Sequence, residues 1–129
     1  MTQAILERSI QIKSGVFSED VIDDRGRVDL KKLAEALNLT MPTIAAALGR
    51  KTRALNNNPT SKNAQSGAIM LLSTMNDLAE YAKSKKLALN FLVSMQPGLE
   101  NKTPVDLLKA GKLQRLCSFV DDAITLRPD

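Results

Sequence analysis

The sequence predicts an all-helical protein, and three observations predict it. Aromatic residues make up only 3% of the chain and Trp is absent, so a core must be built from Leu, Ile, Val, Ala and Met, which helices accept well. Apolar residues recur at helical spacing in successive short runs. Between the runs stand residues that end or start helices: Asn38, Thr40, Gly49, Thr103 and Gly111. At 129 residues and 43% hydrophobic, the chain is sufficient for one compact domain or two small ones sharing a core.

The first element is a cap. "GVFSEDVIDDRGR" carries a turn signal at Asp24 to Gly26 and a few apolar residues that close off the N-terminal domain. In "VDLKKLAEALNLT", Leu30, Leu33, Ala34 and Leu37 form one helix face, Asp29 is the N-cap and Asn38 takes the left-handed position after the helix. Thr40 restarts the chain into "MPTIAAALG". There Pro42 is tolerated in the first turn, Ile44, Ala45 and Leu48 form the apolar face, and Gly49 terminates. "KTRALNN" gives a third short helix that "NNNPTSKN" ends.

A long amphipathic helix comes next, with Ile69, Leu72, Met75, Ala79 and Ala82 on one face and a break between Lys83 and Lys86. A shorter helix carries Leu89, Leu92 and Val93, and "QPG" makes a turn. Thr103 as N-cap, Pro104 at the first helical position and Asp106 near the positive end of the dipole open another short helix, which Gly111 closes. Leu113, Leu116, Cys117, Val120 and Ile124 stripe the last helix, and "TLRPD" frays.

Chemistry is poorly provided for. The chain has no His, which removes the commonest general base and metal ligand. Its single Cys117 makes neither a zinc cluster nor an internal disulfide, and among apolar neighbours it reads as a buried thiol in a reducing compartment. Asp23-Asp24 and Asp121-Asp122 are adjacent in sequence, so on a helix their side chains point about 100° apart and read as solvated charge. "GRK" at Gly49 to Lys51 lacks the preceding glycine and strand that a phosphate loop requires. The expectation is a protein that is not an enzyme and uses neither cofactor nor metal. "MTQAILERSIQIKSG" lacks an apolar run long enough for a signal or a membrane span, so a cytoplasmic location with no membrane partner is expected.

Two short helices joined by a tight turn make a helix-turn-helix, and two registers are open. In one, the turn is Asn38, Ala34 packs beneath it and Ile44 anchors a reading helix that has almost nothing to offer a base or a phosphate. In the other, the turn is Gly49, Ala45 is the small residue at the helix crossing and Leu55 is the anchor. The side chains then presented are Arg50, Lys51, Thr52, Arg53 and Asn56, which suit phosphates, guanine and adenine edges, with Lys62 close by. No acidic residue stands between Glu35 and Asp77, so this surface is positive although the net charge is only +4. We take the second register, with DNA as the partner and a dimer as the specific binding unit.

"IAAALGRKTRALNNNPTSKNAQ", the long helix after it, "NFLVSMQPGLENKTPVDLLKAG" and "LQRLCSFVDDAI" resemble, in content and order, the MbcA/ParS/Xre family of antitoxins. The resemblance runs from Val28 to Ile124. Its more specific features are the aromatic position at Phe91, usually Trp in that family, then Leu99, Thr103-Pro104, Leu107-Leu108 and Gly111. It implies an N-terminal helical domain over 1–62 with an Xre-like helix-turn-helix, and a small C-terminal helical domain over 63–129 that dimerises and binds a toxin. It further implies an antitoxin that neutralises a RES-type, NAD-consuming toxin by direct binding and represses its own operon at operator DNA. The C-terminal tip at Leu126 and Arg127 would then contact the toxin. A stand-alone dimeric helix-turn-helix regulator is the other reading.

Overall fold

Seven α-helices lie within residues 15–125, which the computed structural model describes: α1 Leu30–Leu37, α2 Met41–Leu48, α3 Thr52–Asn57, α4 Gln65–Ala82, α5 Lys85–Leu92, α6 Pro104–Lys109 and α7 Leu113–Thr125. Two 3-10 turns, Lys62–Ala64 and Pro97–Leu99, complete them. The only extended pairings among the described residues are isolated bridges, Ile22 with Val28 and Gln96 with Lys102, so the chain is all-helical as expected. No helix among these residues is long and apolar enough to cross a membrane.

The helix ends are made by the residues expected to make them. Asp29 accepts from the backbone N–H groups of Lys31 and Lys32, and Thr40 from that of Thr43. Thr103 and Asp106 form a reciprocal capping box, with bonds of 3.1 and 3.0 Å. The Thr103 N–H, then its hydroxyl, hold the Asp106 carboxyl below the usual carboxylate range. Four breaks share one construction: Asn38, Gly49, Lys83 and Gly111 take left-handed φ values of 57°, 66°, 56° and 74°. The next N–H then returns to the last turn, from Leu39 to Ala34 at 2.8 Å, Arg50 to Ala45 at 2.9 Å, Ser84 to Ala79 at 3.1 Å and Lys112 to Leu107 at 2.9 Å. Each reversal is therefore short and closed by its own hydrogen bonds.

Helix α4 is the spine. α5 folds back on it, α7 packs along it, and α6 bridges α2, α5 and α7. Helix α2 packs closely on α6, across the 62/63 boundary read from the sequence. Leu33, Leu37, Ile44 and Leu55 belong to the same buried cluster as Leu71, Leu107, Leu108 and Leu116, so one core serves both halves. Two glycines allow the close approach. A Cβ on Gly67 of α4 would lie 2.5 Å from a Leu48 methyl of α2, and one on Gly111 would lie 3.4 Å from the Ala46 carbonyl of α2.

Residues before α1 cap this core more elaborately than their composition suggests. Phe17, Val21 and Val28 are buried. Asp23, read from sequence as solvated charge, instead builds a tight turn: its carboxylate accepts from the N–H groups of Arg25 and Arg27, and Gly26 supplies the positive φ of 81°. Two α4 side chains hold the segment down. The Asn76 carbonyl accepts from the Phe17 N–H and its amide donates to the Ser18 hydroxyl, both at 2.9 Å. Gln65 accepts from the Val28 N–H at 2.7 Å and donates to the carbonyls of Val28 and Ser61.

Several expected faces are rotated. On α4 the buried residues are Ala68, Leu71, Leu72, Thr74, Met75, Asn76 and Ala79, whereas Ile69 and Ala82 are only half-buried. The helix is covered from more than one side, so its buried arc is wider than one amphipathic stripe. Val93, expected in the core with Leu92, is 68% exposed because it follows the end of α5 and turns outward. Cys117 and Ile124 are half-buried, while Leu113, Leu116 and Val120 form the inner line of α7.

Candidate nucleic-acid interface

Both turns proposed from sequence have the same geometry. A left-handed residue, Asn38 or Gly49, is preceded four residues earlier by a buried Ala, Ala34 or Ala45, and followed six residues later by a buried branched residue, Ile44 or Leu55. Burial separates them. Thr43, Ile44, Ala45 and Ala47 make α2 an interior helix, and α6 covers much of the rest of it. α3 buries only Leu55, at 1% exposure, and leaves Arg53, Ala54, Asn56 and Asn57 to solvent.

The sequence-predicted residues fall in three local settings. Arg53 and Asn56 lie on α3 and are exposed, while Thr52, its first residue, is half-buried. Lys51 is the extended N-cap residue and Arg50 sits in the turn, both exposed. The Arg50 guanidinium donates to the Asn63 carbonyl at 3.0 Å, tying the turn to the 3-10 segment that carries exposed Lys62. This uses one of the five guanidinium N–H donors and leaves the cation at the surface. Leu126 and Arg127 lie outside the described residues.

The far end of α3 is fixed as well. The Leu30 N–H donates to the Pro59 carbonyl at 2.8 Å and Arg27 reaches the Thr60 carbonyl at 3.4 Å, so the start of α1 holds the loop that leaves α3. Six residues that would make a marginal helix in isolation are thus held at both ends and pinned by Leu55. Reading the sequence identified the anchor and the cations but missed the Arg50 to Asn63 bond, whose acceptor is a backbone carbonyl with no sequence signature.

The opposite end of the α4/α7 pair carries three carboxylates beside Lys83. Asp77, Glu80 and Asp121 border an open cleft of about 730 Å³ whose walls include Met70, Thr74 and Cys117. Partial burial, then Glu80 and Asp121, push the Asp77 carboxyl above its usual range. Burial likewise raises the Cys117 thiol, against a smaller opposing effect of the Thr74 hydroxyl. Among the described residues no group of three or more His, Cys, Asp or Glu is placed to hold a metal ion.

No protein-family model, curated protein or solved structure matches this chain.

Proposed function

We propose that this protein is an antitoxin that binds operator DNA through the turn at Gly49 and helix α3, and that it neutralises a RES-type toxin through its C-terminal half. The observation that carries the DNA-binding part is α3 itself, buried at Leu55 and open at Arg53 and Asn56, with Arg50, Lys51 and Lys62 around it. Cations there meet phosphates and set register, and Arg53 and Asn56 are the side chains with the hydrogen-bonding forks that read base edges. The acid-free stretch from Ala36 to Asn76 leaves the field of this surface uncompensated from within its own segment. The toxin-binding part is supported by the order of C-terminal features that resemble those of the antitoxin family.

Fluorescence anisotropy on the duplex upstream of the protein's own reading frame tests the DNA-binding part. Substituting Arg50, Lys51 and Arg53 with Ala should abolish salt-sensitive binding while the helical circular dichroism stays unchanged, and undiminished affinity would reject this surface. Co-expression with a RES-type toxin tests the other part, with cellular NAD as the readout. The antitoxin preserves NAD, and Leu126→Ala with Arg127→Ala weakens that protection without affecting DNA binding.

One observation favours the second reading, a stand-alone dimeric regulator. α6 lies against α2, so the C-terminal half buttresses the helix that carries the turn and has a use without any toxin. A protein with full operator affinity and no effect on the toxin would be that regulator.

A further inference from the structure

We propose that Lys112 and Arg115, in the C-terminal half, form a second phosphate-contacting tract that continues the α3 surface, so that duplex DNA is gripped by both halves of the chain. This rests on the DNA-binding reading above. Three long segments of the sequence contain no acidic residue, 36–76, 81–99 and 107–120, and the fold brings the first and the last together at the Gly111 turn. The turn at Gly111 meets α2 at the Ala46 carbonyl, the same carbonyl that accepts from the Gly49 N–H at 3.2 Å. A Leu113 methyl lies 3.7 Å from the Cβ position of Gly67, which also faces Leu48. The end of α2, the start of α4 and the start of α7 therefore converge, and Arg50, Lys62, Lys112 and Arg115 are all exposed on those ends.

The order of charge along the helices argues against a stabilising role for these cations. α4 and α7 run parallel: Gly67 neighbours Leu113, Met70 neighbours Cys117, and Asp77 feels Asp121. Helix α4 follows Lys62 and carries Asp77 and Glu80 in its last turns, but has Lys83 at its C-cap; around α7, cations gather at the start (Lys112 and Arg115) and carboxylates toward the end (Asp121 and Asp122). That is the reverse of what the helix dipole favours, since anions belong near N-termini and cations near C-termini. On α7 this arrangement costs helix stability and separates charge between its two ends. A separated field steers and holds a polyanion at the basic end and keeps it off the acidic one. At ordinary ionic strength screening acts over about 10 Å, so cations on abutting turns act on a duplex together. Lys109 is also exposed but lies within reach of the Asp106 carboxylate, which partly neutralises it.

The test is an anisotropy titration of the full chain with a labelled duplex between 50 and 200 mM salt, using Lys112→Gln with Arg115→Gln, Lys109→Gln alone, and Arg53→Ala. Losing two phosphate contacts should flatten the plot of log affinity against log salt by about 1.8, so that wild type loses about tenfold more affinity than the double variant over that range. The loss should be equal on operator and unrelated duplexes, whereas Arg53→Ala should reduce the preference between them. An unchanged slope in the double variant, with binding still dependent on Arg53, overturns the second tract and leaves the α3 reading intact. A slope change from Lys109→Gln as large as that per residue of the pair also overturns it, because any cation would then serve. If wild type binds no duplex, the α3 reading fails first and the tract with it.

Discussion

Replacing Leu108 with Ala asks whether the two halves share one unfolding transition. Leu108 is fully buried on α6, the helix that packs closely on α2. The substitution removes three carbons worth about 0.8 kcal/mol each and leaves a partly collapsed cavity, which together destabilise by about 3–4 kcal/mol. For a chain of this size that lowers Tm by about 12–16 °C. The assay needs a probe in each half. Tyr81 is the only tyrosine and there is no Trp, so intrinsic fluorescence reports on the end of α4, and amide hydrogen exchange reports on α2. With one core, fluorescence, circular dichroism and loss of α2 protection shift together and by the same free energy. Unchanged protection at Ile44 and Ala45 beside a shifted Tyr81 transition would refute the shared core and restore two separable units.

Three further outcomes arise from local geometry. Asp77→Asn should raise Tm at neutral pH: the folded carboxyl is pushed upward, so its proton stabilises the fold at low pH, and that stability is lost as pH rises through the folded value. The gain should vanish once pH falls below the ordinary carboxylate range, as thermal melts across pH will report. Gly111→Ala places a Cβ at φ 74° beside the Ala46 carbonyl and should cost about 1–2 kcal/mol in urea unfolding, whereas the same change at Gly67 meets a Leu48 side chain that must move aside and touches Leu113 at ordinary contact distance. Cys117, with its thiol raised by burial, should react with a disulfide reagent more slowly than free cysteine at neutral pH and accelerate only in alkaline solution.

What the sequence disclosed was local. Asp29, Thr40 and Thr103 cap because a short side chain reaches an N–H two or three residues on, and Asn38, Gly49 and Gly111 turn because of their own backbone freedom. Leu55 could be singled out as an anchor because its distance from Gly49 is a property of the chain. What stayed hidden depends on which surfaces meet. Asn76 and Thr74 are polar yet buried, and Val93 is apolar yet exposed, because segments distant in sequence cover the first two and nothing among the described residues covers the third. The contact of α2 with α6 was equally invisible, and with it the meeting of the Gly111 turn with the end of α2.

Gln65 has a consequence of a different kind. Its single side chain binds Val28, just before α1, and Ser61, just after α3, so the stretch between them leaves and returns to one spot. A segment closed in this way has its two ends fixed to each other through one side chain. Helices α1 to α3 therefore leave and rejoin the chain at one spot, while their buried face rests on α6 and on α4 at Gly67.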